Sequence, residues 1–211
     1  MLEIGIGMFG DLTFDQASQK FQPTSQKFNE IIEQVKLADD LGIDVIAIGE
    51  HHRPDYSVSS PEIILAALST VTKRIKLASG VTVLSSSDPV KVYQDFATVD
   101  LLSDGRAEII AGRGSFIESY PLFGYDLKDY GSLFEEKLDL LLKINTTETL
   151  TWSGKHRPPL HHQTVLPRAE RPLPIWIAVG GTPESVYRAA RLGLPIIFAI
   201  IGGQPSATGM K

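Results

Sequence analysis

Three short stretches hold residues whose types and spacing could do chemistry. Glu50-His51-His52 sets a carboxylate beside two imidazoles. Histidine exchanges a proton near neutral pH, so this group could act as acid, base or hydrogen-bond donor. The same tripeptide would also serve as a surface turn with two solvated rings. Ala111-Gly112-Arg113-Gly114-Ser115-Phe116 places an arginine between glycines. A guanidinium offers paired donors and glycine leaves backbone N–H groups open, a combination that suits a phosphate. A tight turn with a solvated arginine is the other reading. In Gly180-Gly181-Thr182-Pro183-Glu184-Ser185, two hydroxyls meet the expected start of a helix, where unpaired N–H groups and the positive end of the dipole converge. That would be the second half of a phosphate cradle, or a capped helix that needs no ligand.

Other candidates are weaker. Within Ser79-Gly80-Val81-Thr82-Val83-Leu84, Gly80 permits a close approach to the backbone, or merely relieves crowding in a strand. His156, His161 and His162 match no established ligand spacing and have no carboxylate close in sequence, so they read as solvated loop histidines and no metal site is expected. The chain has no cysteine, which excludes disulfides, thiolate nucleophiles and Fe–S clusters.

The elements that must position these residues alternate in kind. Short runs rich in Ile and Val, expected as strands, lie at 2–9, 44–49, 75–84, 107–112, 174–179 and 195–201. Between them Phe28, Ile31, Ile32, Val35 and Ala38 fall at helical spacing, as do Ile63, Ile64, Ala67, Leu68 and Val71. Further helices are expected through Val92 to Leu102, through Leu133 to Ile144, and from Thr182-Pro183 to near Gly193. Strict alternation means a parallel α/β fold, either a doubly wound sheet or a (β/α)8 TIM-type barrel. The barrel is favoured because no Gly-rich nucleotide fingerprint follows the first strand, and because polar residues follow several different strands. About six βα units are visible, so 1–211 is expected as a single incomplete barrel domain lacking the last two units, with 145–173 as a loop or short hairpin excursion.

With 20 basic against 25 acidic residues and no run of like sign, a nucleic-acid partner is not expected. No apolar stretch approaches the roughly 20 residues that span a bilayer. The first residues lack a signal-peptide pattern, so a cytoplasmic protein without membrane contact is expected.

Taken together, GEHH after the second strand, SGVTVLSSSDPVKVYQDFATVDLLSDGR before the fourth, AEIIAGRGSFIESYPLFGY and PIWIAVGGTPESVYRAARLGLP resemble the bacterial luciferase-like monooxygenases, over nearly the whole chain. The similarity is to the unspecialised flavin-dependent oxidoreductases of that family rather than to the light-emitting subunits. It implies FMN, or in some relatives a deazaflavin, lying across the C-terminal mouth of the barrel. His51 matches the family's catalytic histidine, with Glu50 and His52 in support. Gly80-Val81 matches a non-proline cis peptide packed on the flavin ring, with Thr82 beside it. Arg113 and Gly114 match phosphate-side positions, as do Gly180, Gly181, Thr182 and Ser185, Thr182 standing where some relatives have serine.

The activity so implied is an FMN-dependent monooxygenase acting on a small organic substrate with O2 and with reduced flavin from a partner reductase. A homodimer formed through the helices after the second and third strands is also implied. Family members are longer, so a truncated or naturally shortened form is expected. A flavin-binding or vestigial barrel without turnover, and a deazaflavin-dependent hydride transfer, are the alternatives. A metal-dependent hydrolase using His51 and His52 would need paired histidines at the end of the first strand, which are missing.

Overall fold

The computed structural model of the chain describes residues 2–114, 116–180 and 183–199. Strand β1 (Gly5–Met8) leads into a small antiparallel hairpin, β2 (Phe14–Asp15) and β3 (Lys20–Phe21), and then helix α1 (Thr24–Asp40). Next come β4 (Val45–Ile48), α2 (Pro61–Ser69), β5 (Lys76–Ser79), β6 (Thr82–Val83), α3 (Pro89–Ser103) and β7 (Ala107–Gly112). A short helix α4 (Ser119–Leu122) and a 3-10 turn (Leu127–Asp129) precede the long α5 (Tyr130–Thr146). The remainder is β8 (Thr149–Trp152), β9 (Leu160–Thr164), β10 (Ile175–Val179), α6 (Pro183–Leu192) and β11 (Ile196–Phe198).

The main sheet has the order β1-β4-β5-β7-β10-β11, with β6 also paired to β7, and its strands run parallel. This is the curled, partial (β/α)8 arrangement expected from the alternation. Its strands are joined in chain order, as a barrel requires and a doubly wound sheet does not. Excursion 145–173 contains the antiparallel β8–β9 hairpin, which packs on α5.

Period explains the burial. In β4, Ile46 and Ile48 are buried while Val45 and Ala47 are half-buried; β10 alternates in the same way through Ile175, Ile177 and Val179. The buried side chains meet apolar stripes from the helices: Ile31 and Val35 of α1, Leu65 and Leu68 of α2, Phe96 of α3, and Leu138, Leu141 and Ile144 of α5. Strand β1 departs from the expectation of a strand buried on both faces. Gly5, Ile6 and Gly7 are exposed, because β1 is an edge strand paired only to β4 among the described residues.

Polar anchors hold the N-terminal end of the sheet. The Asp39 carboxylate, at the end of α1, accepts the backbone N–H groups of Lys73, Arg74 and Ile75 at 2.8, 2.9 and 2.7 Å. Burial works to raise its pKa, but these bonds outweigh burial and hold it below the usual carboxylate value. Arg106 donates to the carbonyls of Ile75, Ser103 and Thr72 and to the Thr72 hydroxyl, so this arginine knits loops together. Conserving geometry at this end fixes where the opposite, C-terminal ends of the strands stand.

Candidate functional site

The three chemistry-bearing stretches follow the C-terminal ends of strands β4, β7 and β10 of one parallel sheet. Glu50-His51-His52 follows β4, Arg113 follows β7 and Ser185 lies in the first turn of α6, after β10. Between the first and second stands the interruption that divides the expected strand 75–84 into β5 and β6. The Gly80–Val81 peptide there is cis.

His51 is packed in aromatic rings. Tyr56 stacks on it at 4.2 Å between centroids, and Phe9 and Phe116 meet it edge-on at 5.4 and 5.3 Å. Phe9 and Tyr56 are brought together because the loop after β1 pairs with the loop after β4 through an Asp11–Tyr56 bridge. Phe116 is in turn backed by the Arg53 guanidinium at 4.7 Å, itself held by Asp55. Both His51 ring nitrogens are buried and lack a hydrogen-bond partner among the described residues. Burial pushes the imidazole below its ordinary pKa, against an opposing pull from Glu50, so the ring is neutral at pH 7.

Glu50 is spoken for on both oxygens. Oε1 meets His52 Nε2 at 2.8 Å, and Oε2 accepts the Val83 N–H at 2.7 Å. His52 also lies edge-on to Phe123 at 5.2 Å. Glu50 and His52 are therefore engaged within the protein, with both side chains buried.

Glycines let neighbouring groups close in on the backbone here. A Cβ on Gly49 would strike Phe9 Cδ1 at 2.7 Å and stand 3.1 Å from His51 Nε2 and 3.2 Å from the Gly80 carbonyl oxygen, so Phe9, the imidazole and the cis peptide all close in on this one backbone position. A Cβ on Gly80 would strike Ala47 at 2.9 Å, and one on Gly112 would strike Val81 at 2.7 Å. Val81 thus sits against Gly112, immediately before Arg113. Arg113 Nη2 donates to Ser185 Oγ at 3.2 Å, and Ser185 is buried. A continuous strip runs from His51 past Gly80-Val81 and Gly112 to Arg113 and Ser185.

The other expected site residues divide. Gly114 has φ +83°, and a Cβ there would crowd Val83 at 3.0 Å, so glycine is required at this turn. Thr82 is buried with its hydroxyl donating to Ser79 Oγ at 2.8 Å, which engages it beneath the strand. Gly180 is exposed at the end of β10. Gly181 and Thr182 lie outside the described residues. In the excursion, His156 Nε2 pairs with Ser132 Oγ at 2.9 Å, while His161 and His162 are exposed. Phe9 and Tyr56 were not expected at the site, and Phe116 was named only as the end of the arginine stretch. Nor was Tyr130, whose ring lies 4.8 Å from the Arg113 guanidinium.

The strip ends in a guanidinium and a hydroxyl, a donor pair that suits an anion. The sequence model for luciferase-like monooxygenases matches residues 8–210. The chain belongs to the luciferase-like monooxygenase family. The monooxygenase RslO1 of Streptomyces bottropensis superposes with a TM-score of 0.83 at 27% identity, covering 92% of this chain and 59% of that one. The oxygenase component of a flavin-dependent trigonelline monooxygenase from Acinetobacter baylyi is 28% identical over 174 residues, 78% of this chain and 45% of the relative. An F420-dependent glucose-6-phosphate dehydrogenase from Amycolatopsis mediterranei is 25% identical over 183 residues, 82% of this chain and 54% of the relative. The chain spans about half the length of the curated luciferase-like relatives it matches. Among the described residues no helix is long and apolar enough to cross a membrane.

Proposed function

We propose that this chain binds FMN along the strip and acts as the oxygenase side of a monooxygenase that uses reduced flavin and O2 on a small organic substrate. The carrying observation is that His51 and the cis Gly80–Val81 peptide meet at Gly49, with Arg113 and Ser185 beyond them on the same strip. The residues fit a flavin mononucleotide. Two buried, unpartnered imidazole nitrogens call for a polar partner atom, and a guanidinium beside a helix N-terminus suits a phosphate.

Gly80-Val81 would support the ring, and Arg113, Gly114, Gly180, Gly181, Thr182 and Ser185 would hold the phosphate. Bound reduced flavin supplies the electron pair that activates O2. The chain's own contribution is orientation, exclusion of water and placement of a proton. Phe9, Tyr56 and Phe116 keep water from His51. Nε2 is the ring atom that faces Gly49, and a neutral imidazole can hold or accept a proton on it. Glu50 and His52 fix the β4 exit against Val83 and so act through His51 and the β6 backbone.

The name of the Acinetobacter relative supports a separate reductase as partner. That of the Amycolatopsis relative supports a deazaflavin as the second reading of the cofactor. A cytoplasmic homodimer is part of the proposal; Ile63 of α2 and Leu101 and Leu102 of α3 are exposed, and a second copy would cover them.

The test is an absorbance spectrum of the purified chain followed by titration with FMN and with the deazaflavin. Saturable FMN binding, weakened by Arg113→Ala, supports the reading, and turnover with reduced flavin lost in His51→Ala separates an enzyme from a silent flavin binder. Tighter binding of the deazaflavin than of FMN favours the second reading. A folded sample that binds neither overturns both.

A further inference from the structure

Arg113 stands at the exit of β7 with its guanidinium between two elements distant in sequence. On one side Nη2 meets Ser185 Oγ of α6 at 3.2 Å. On the other lies the ring of Tyr130, the first residue of α5, with its centroid 4.8 Å from the guanidinium carbon. The same tyrosine donates its hydroxyl to the Gly114 carbonyl at 3.3 Å, one residue past the arginine. Tyr120, fully buried, donates to the Arg113 carbonyl at 3.2 Å, and the two tyrosine rings are 5.7 Å apart. The strand exit therefore rests on two rings, one of which also supports the side chain.

Core packing does not account for Tyr130. It is half-buried and outside the main apolar cluster, and an aromatic residue has no advantage in the first turn of a helix. What a ring gives at this place is a flat, electron-rich face. Stacking engages a guanidinium through its plane and leaves hydrogen bonding to its edge, which is how arginine recognises phosphate. The edge atom Nη2 is the one that points to Ser185.

We propose that Tyr130 is a positioning residue whose ring holds the Arg113 guanidinium edge-on to Ser185, so that the pair grips the terminal phosphate of the bound flavin mononucleotide. The proposal rests on the flavin reading above. It assigns the discrimination between FMN and riboflavin to a residue that need not touch either molecule.

The experiment is equilibrium titration of the full chain with FMN and with riboflavin, comparing wild type, Tyr130→Phe and Tyr130→Leu, with thermal midpoints recorded for each. Tyr130→Leu is expected to weaken FMN by about tenfold while leaving riboflavin within about twofold of wild type. Tyr130→Phe keeps the ring and is expected to stay within about threefold for FMN. If the leucine variant does not fold, Tyr130→Met restores side-chain volume without a ring and carries the same expectation. Equal weakening of FMN and riboflavin would mean a merely structural role and overturns the proposal. So does an unchanged FMN preference in the ringless variant, or a phenylalanine variant as weak as the ringless one. A folded wild-type chain that binds neither ligand removes the flavin reading and the proposal with it. FMN binding that falls with Arg113→Ala but not with the ringless variant removes the proposal alone.

Discussion

Glu50 and Val83 are joined across the opening of the sheet: the carboxylate Oε2 accepts the Val83 N–H at 2.7 Å. With Oε1 on His52, one side chain ties the β4 exit to the short strand β6 that follows the cis peptide. Glu50→Ala strands a buried N–H and the partner atom of His52, at a cost of about 3 kcal/mol. Glu50→Gln keeps a carbonyl for Val83 and should lose less than half of that. Urea unfolding of the three proteins checks it, and an alanine variant as stable as wild type would remove the bridge from the account.

His51 should titrate below the ordinary histidine value. Burial lowers its folded pKa beneath the unfolded value of about 6.5, so on acidification the unfolded chain takes up a proton first. Stability then falls as pH falls from about 6.5 to the lower folded value. A histidine NMR titration assigned with His51→Gln reads the pKa directly. A midpoint at or above about 6.5 contradicts the geometry.

Lys137 carries the opposite kind of test. Its ammonium is buried in α5, donates to the Ser85 carbonyl at 2.6 Å and lies 3.8 Å from the Tyr125 ring centre. Burial lowers its pKa to about 8, although Asp88 and Glu136 pull the other way. Below pH 8 both folded and unfolded chains hold the proton and the penalty is complete. Between about 8 and the unfolded value near 10.4 the folded chain releases it first, so stability rises with pH, by about 3 kcal/mol at most. Lys137→Met should abolish that rise in midpoints measured from pH 7 to 10.5.

Asp39 separates stability from binding. Asp39→Ala leaves three N–H groups at the foot of β5 without their acceptor and should cost about 3 kcal/mol or more. Its depressed pKa makes this contribution complete above the unfolded value of about 3.9 and lost as pH falls through the folded one. FMN affinity measured well below the unfolding midpoint should match wild type, since Asp39 lies at the far end of the sheet from the strip. A selective loss of affinity would contradict that division.

The parallel strands and main helices were legible because each carries its own period, and the polar stretches stood out as interruptions of that period. Residue 80 was legible as a glycine of two meanings, and the backbone break there only by resemblance. The wall around His51 was hidden because Phe9, Tyr56 and Phe116 come from three loops and each reads alone as an ordinary apolar residue. The hairpin of β2 and β3 was too short for any pattern, although Phe14 and Phe21 pair across it at 5.1 Å. Lys137 did leave a signal. It sits four residues after Leu133 and four before Leu141, inside the apolar stripe, where a cation must find partners.

The strip from His51 to Ser185 is drawn from four strand exits, so a molecule that binds it binds only the assembled sheet. Mass action then joins ligand supply to folding: free ligand at one hundred times its Kd adds about 2.7 kcal/mol to the folded state. With FMN as that ligand, chains starved of flavin would be the ones that open and meet proteases first. The abundance of this protein would then follow the flavin status of the cell, with no change in its synthesis.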